Sequence, residues 1–171
     1  MTPDWRKAAR RARSKMDPTR NAGEGAVAGL GVAVAIGAME WLSLASHYPL
    51  AIIPFATSIA LVIGSPDAEQ AQPRALVGGH VVATLVGLAM VKLTGPSAWA
   101  AAMAVGLAIL AMYLTDTFHP PAGIDPLLVV SNNLPWSFLF APVLVGAVLL
   151  AAFAYIWHRW VRRQPWPKRR M

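Results

Sequence analysis

The chain has 171 residues, of which 56% are hydrophobic and 13% charged, against about 25% charged in an ordinary soluble domain. Its formal charge of +7 sits at the ends: of 15 Lys and Arg, all but Arg74 and Lys92 lie before residue 21 or after residue 158. These figures exclude a water-soluble globular fold, and the absence of Cys excludes disulfides, thiol nucleophiles and Cys-ligated metal centres.

The basic N-terminus leads into an apolar run at 25–46, longer than the core of a signal peptide and read as a retained first span. Further long runs follow at 75–91, 97–115 and 136–157, near the roughly 20 residues that a spanning helix needs. Two shorter runs lie between them. Residues 48–64 carry Pro49 and Pro54, and residues 118–131 carry Pro120, Pro121, Asp125 and Pro126. A helix of about a dozen residues covers only about half of the hydrocarbon core, so each short run either re-enters or completes a broken crossing.

The sequence therefore predicts an all-α membrane protein with four full spans and two Pro-broken or re-entrant half-helical segments. A basic tail (1–24) precedes the membrane domain (25–157) and a second basic tail (158–171) follows it. Cytoplasmic flanks are rich in Lys and Arg, which places both tails in the cytoplasm of a multi-pass protein, expected in a bacterial inner membrane. Four and six crossings satisfy that placement equally. Trp41, Tyr48, Trp99, Trp136, Trp157 and Trp160 lie near run ends, where aromatic belts sit. Small residues at four-residue spacing (Gly25, Gly29, Ala33, Gly37; Gly79, Ala83, Gly87) let helix backbones approach closely in lipid, within the chain or between copies in a homo-oligomer.

An offset of 67 residues lays Pro54-Phe55-Ala56-Thr57-Ser58 over Pro121-Ala122-Gly123-Ile124-Asp125, and the apolar runs that follow also match. Internal repeats are a mark of transporter folds, and the halves here run over 25–95 and 96–157. Pro is accepted at the first position of a helix, so Pro54 and Pro121 can each start a half-helix whose free N–H groups and dipole favour an anion. Thr57, Ser58 and Thr117 add hydroxyls.

Ionisable groups inside a membrane are costly and usually functional. His119 leads the second short run and either handles a proton beside an anion path or fixes the turn through a freed carbonyl. The same pair of readings applies to His80. Asp125 is placed to pair with His119 or Arg74, to be protonated, or to bind a cation. Arg74 either snorkels to the headgroups or draws anions to a pore mouth.

His47, His80, His119 and His158 show no metal-ligand spacing, and neither a phosphate loop nor a Ser nucleophile elbow is present. No enzyme activity, metal or cofactor is expected. The basic tails lack the aromatic interleaving of a single-strand nucleic-acid binder and read as topology signals that also attract anionic lipid.

The turn Phe118-His119-Pro120-Pro121-Ala122-Gly123 resembles the HPP family of small integral membrane proteins, named for that tripeptide. The likeness takes in Pro54-Phe55-Ala56-Thr57-Ser58, Ala71-Gln72-Pro73-Arg74, Gly78-Gly79-His80 and Trp136-Ser137-Phe138. It implies four membrane spans and, from members linked to nitrite transport, passage of a small inorganic anion. Ala56 and Asp125 depart from the family pattern, which usually has Gly and a neutral hydroxyl-bearing run there. A proton or cation pathway through Asp125 and His119, and a non-transporting membrane scaffold, are the competing readings.

Overall fold

The computed structural model describes residues 18–46 and 54–168. The first 17 residues, His47, Tyr48, Pro49, Arg169 and Arg170 lie outside that set. Among the described residues every regular element is helical. In chain order these are α1 (Pro18–Ser46), α2 (Pro54–Gly64), a 3-10 turn (Glu69–Ala71), α3 (Pro73–Thr94) and α4 (Ala98–Leu114). A second 3-10 turn (Pro120–Gly123) runs into α5 (Ile124–Asn132), and the last helix has α6 (Val145–Ile156) as its regular part.

Three helical stretches are long and apolar enough to cross a membrane: Asn21–Ala45, Pro73–Thr94 and Leu139–Val161. The 17 residues of α4 add about 26 Å of apolar helix at 1.5 Å per residue. The expected alternation of long helices with two short ones is present.

Local chemistry sets the boundaries. Pro73 opens α3, where its missing N–H costs nothing. Gly95 (φ 75°) ends α3, because the left-handed conformation past a helix end favours Gly. Ser97 caps α4 by accepting the Ala100 N–H at 3.1 Å. In the last helix Ala141 leaves helical geometry (φ −137°, ψ 121°) directly before Pro142, since the proline ring disfavours the α region for the residue ahead of it.

The spine is α3, which packs against α4, α5 and the last helix. Buried residues make up 39% of its apolar window, against 17% for α1. Two glycines make the close approach possible. A Cβ on Gly79 would lie 2.6 Å from His119 Cβ and 2.8 Å from the Thr117 carbonyl oxygen, and one on Gly87 would lie 2.7 Å from Pro126 Cα.

Those contacts also give directions. Along α3, Gly79 meets His119, Gly87 meets Pro126 and Leu88 clusters with Val129, so the HPP turn and α5 run parallel to α3. Val130 reaches Ala100 and Ala101 at the far end, where α4 begins. The second short segment is therefore a broken crossing and does not loop back to its own side.

The first short helix runs the opposite way. Phe55 lies against Gly146, whereas the Val62 and Ile63 carbonyls accept hydrogen bonds from His158 Nε2 (3.0 Å) and Arg162 (2.9 Å) at the end of the last helix. These side chains satisfy carbonyls that the helix end leaves unpaired. The last helix continues past Trp157 to Val161, and the chain then folds back. The Lys168 N–H bonds Gln72 Oε1 and its ammonium pairs with Asp67, both at 2.8 Å.

The two small-residue stripes behave differently. Gly79, Ala83 and Gly87 are buried: Gly79 meets Thr117 and His119, Ala83 clusters with Ala108, Met112 and Ala122, and Gly87 meets α5. Gly25, Gly29, Ala33 and Gly37 instead face outward, and a Cβ on any of those glycines would meet nothing within 4 Å. The inner face of α1 is Gly31, Ala35 and Met39, where Gly31 receives the Trp157 ring. Four-residue spacing marked a stripe of small residues, but where a large ring lands decides which face is covered. The exposed apolar side chains Leu30, Val34, Leu44, Met103, Leu107 and Leu110 form the lipid-facing exterior.

Gly87→Ala forces the α5 backbone away and should destabilise the detergent-solubilised protein by about 1–3 kcal/mol, the usual cost of overpacking. Gly106→Ala, in open space on α4, should hold or gain up to about 1 kcal/mol from helix propensity. Thermal unfolding of the two variants checks the contrast.

Candidate functional site

Where α2, α3 and the HPP turn meet, five polar side chains form a continuous hydrogen-bonded chain. Ser58, His80, Thr84, His119 and Asp125 each have no exposed surface. From the outer end, His119 Nδ1 lies 2.7 Å from the Gln70 carbonyl oxygen and Nε2 lies 2.9 Å from Ser58 Oγ. Ser58 Oγ is also 2.9 Å from His80 Nε2. His80 Nδ1 lies 2.7 Å from Asp125 Oδ2, which accepts a further bond from the Thr84 hydroxyl at 3.2 Å.

Each member is held by its element. Ser58 is on the second turn of α2, one turn past Pro54. His80 and Thr84, four residues apart, lie on one face of α3. His119 immediately precedes the turn made by Pro120, Pro121 and Gly123, and Asp125 is in the first turn of α5. Phe55 stands 4.8 Å from His80 between ring centroids, and His80 stands 5.2 Å from His119. Gly79 gives His119 its place against α3, because any side chain there would fill it.

Ser58 and Asp125, which the 67-residue offset superimposes, occupy opposite nitrogens of the same imidazole. They come from short helices that run in opposite directions, and His80 joins them. Asp125 Oδ1 is buried with no hydrogen-bond partner. Among the described residues no group of three or more His, Asp or Glu is arranged to hold a metal ion.

The remaining candidates lie outside the chain. Arg74 is on the surface, where it pairs with Asp116 at 3.3 Å and donates to the Thr115 carbonyl at 3.0 Å. Thr57 is exposed on the outer side of α2, and Pro120 is exposed on the turn. Thr117 is buried beside His119, but its hydroxyl bonds Thr115 and its methyl fits against Gly78. Pro54 starts α2 as expected. Asp125 pairs with His80, neither His119 nor Arg74.

Sequence reasoning missed Thr84 and the Gln70 carbonyl. The signal for Thr84 was its position four residues after His80, on the same helical face. Nothing in the sequence marks a loop carbonyl as an acceptor.

Ser58, His80 and Asp125 stand in the order of a nucleophile, base and orienting acid. Ser58 Oγ, however, is enclosed and already bonded to a second imidazole, so no approach to it is open.

An all-helical multi-pass membrane protein, with a buried His–Ser–His–Asp chain where two broken helices converge, is the class that fold and site define. The chain belongs to the HPP family: the description "HPP, transmembrane region" matches residues 17–167. It is similar to two proteins of Dictyostelium discoideum, both named only as transmembrane proteins. One is 36% identical and the other 33% identical, each over an aligned length of 121 that covers 66% of this chain. The chain spans 39% and 42% of the lengths of those relatives. No solved structure matches it.

Asp125→Ala removes one partner of a buried pair, a loss of about 3–5 kcal/mol, while Thr84→Val removes a single hydrogen bond worth about 0.5–1.5 kcal/mol. Melting of the two variants in detergent should rank them in that order, and equal midpoints would contradict the pairing of Asp125 with His80.

Proposed function

We propose that the protein carries a small monovalent anion, nitrite by likeness to family members linked to its transport, across the membrane at the place where the two broken helices converge. The observation that carries this reading is the 2.9 Å bond between Ser58 and His119. It brings the Pro-led start of α2 against the Pro-led turn before α5, and helix starts with free N–H groups favour anions. Irregular backbone at membrane depth is tolerated only where protein or a wet cavity surrounds it, which makes this junction the natural route.

In the proposed arrangement both termini are cytoplasmic, the basic tails meet anionic lipid, and the open stripe of Gly25, Gly29 and Gly37 on α1 faces a second copy. The substrate is moved and not chemically altered. The pairing of His80 with Asp125 at 2.7 Å favours a second reading, a proton path through Asp125 and His119.

Reconstituted in liposomes, the protein should take up nitrite faster than empty vesicles, and His119→Ala should abolish the difference. Uptake no faster than empty vesicles would overturn the anion reading. Because the chain has no Cys, a single Cys introduced at either end reports sidedness directly, and both should label from the cytoplasmic face only.

A further inference from the structure

We infer that the His119–Ser58–His80–Asp125 chain binds one exchangeable proton and passes it along its length, so that anion movement is coupled to proton movement. The inference rests on the anion reading above and adds its coupling ion.

A count of hydrogens gives the bound proton. A carbonyl oxygen only accepts, so His119 Nδ1 must carry the hydrogen in its bond to Gln70. Both Nε2 atoms lie 2.9 Å from Ser58 Oγ, and a serine hydroxyl has one hydrogen to give. At least one of the two Nε2 atoms therefore carries its own hydrogen. If it is His119, that ring is doubly protonated. If it is His80, the hydrogen between Nδ1 and Asp125 Oδ2 leaves either an imidazolium beside a carboxylate or a neutral imidazole beside a carboxylic acid.

In every arrangement the four groups hold at least one proton more than two neutral imidazoles and a carboxylate. Whatever further partner Ser58 has, at least one extra proton is bound, since a bond given elsewhere leaves less hydrogen for the rings.

Charge leads to the same result. One extra proton brings the formal charge of the cluster to zero, whereas without it a lone carboxylate would be buried, which is strongly unfavourable. Beside Asp125 the proton is closest to the charge it balances, so the His80–Asp125 pair is its resting place.

Transfer balances atom by atom. With the proton on His119 and the Ser58 hydrogen turned toward His80, the His119 Nε2 hydrogen moves to Oγ as the Oγ hydrogen moves to His80 Nε2. His119 returns to neutral, Ser58 remains a hydroxyl, and His80 becomes an imidazolium against the Asp125 carboxylate. The outer end is His119, whose Nδ1 is covered by the half-buried loop residue Gln70. The inner end is Asp125, with Oδ1 unpartnered.

Other ionisable groups on the surrounding elements are engaged elsewhere or exposed: Arg74 pairs with Asp116, Asp67 with Lys168, and His158 with the Val62 carbonyl, while Glu69 and Lys92 are exposed. α2 and α4 carry no Asp, Glu, Lys, Arg or His.

The test uses the full chain. Spectra of protein labelled with nitrogen-15 in His and carbon-13 in Asp are recorded at about pH 8, where an ordinary imidazole of pKa about 6.5 is neutral. A doubly protonated ring or a protonated Asp125 carboxyl supports the bound proton, and two neutral rings beside a carboxylate overturn it. In proteoliposomes holding a pH-sensitive dye, nitrite uptake should acidify the lumen beyond empty vesicles. Nitrite uptake without acidification overturns the coupling and leaves the anion reading standing. No nitrite uptake overturns the anion reading, and the coupling that rests on it, and the spectra then decide the proton site alone.

Ser58→Ala keeps both rings and Asp125. Its spectra should still show the bound proton while coupled uptake falls on the order of 100-fold, the low end of what a positioned proton-transfer group contributes. Undiminished coupling in Ser58→Ala overturns transfer through the hydroxyl.

Discussion

Everything in this fold turns on how His80 is satisfied. An imidazole in the middle of a membrane helix has two nitrogens that need partners, and lipid supplies none. α3 cannot provide them from its own backbone, whose groups are already paired within the helix. The partners are Ser58 on one nitrogen and Asp125 on the other, and each comes from a helix too short to cross the membrane alone. The requirement of one side chain thus fixes the positions of both broken segments.

The rest of the architecture serves that arrangement. α3 must let two neighbours approach closely, and it does so by having no side chain at Gly79, where His119 and the Thr117 carbonyl press in, and at Gly87, where Pro126 does. Phe55 and the rings of His80 and His119 fill the space between. The carbonyls at the far end of α2 are bonded by His158 and Arg162, so a helix of 11 residues is tied at both ends. Outside this junction, α1 and α4 present broad apolar faces.

Much of this was legible in the sequence. Run lengths gave the long helices, and Pro54 and Pro121 gave the breaks, because proline at a first turn is a local rule that tertiary contacts do not alter. The scarcity of ionisable residues between 25 and 157 picked out His80, His119 and Asp125. Their partnerships were not legible. Asp125 lies nearer in sequence to His119, but helical geometry turns it to His80 on the neighbouring helix. Arg74 read equally as a pore cation and as a surface residue, and only the position of Asp116 at the end of α4 places it on the surface. The stripe on α1 left open which face turns inward, because spacing records residue size on one helix and says nothing of the ring brought from another.

Two separate short helices are coupled through one imidazole. Ser58 and Asp125 each bond His80, so a double-mutant cycle of Ser58→Ala and Asp125→Asn, read by unfolding in detergent, measures that coupling. Coupling through His80 should give an interaction energy of about 0.5–3 kcal/mol, as for members of one hydrogen-bond network. Additivity to within about 0.3–0.5 kcal/mol, the behaviour of independent sites, would contradict it.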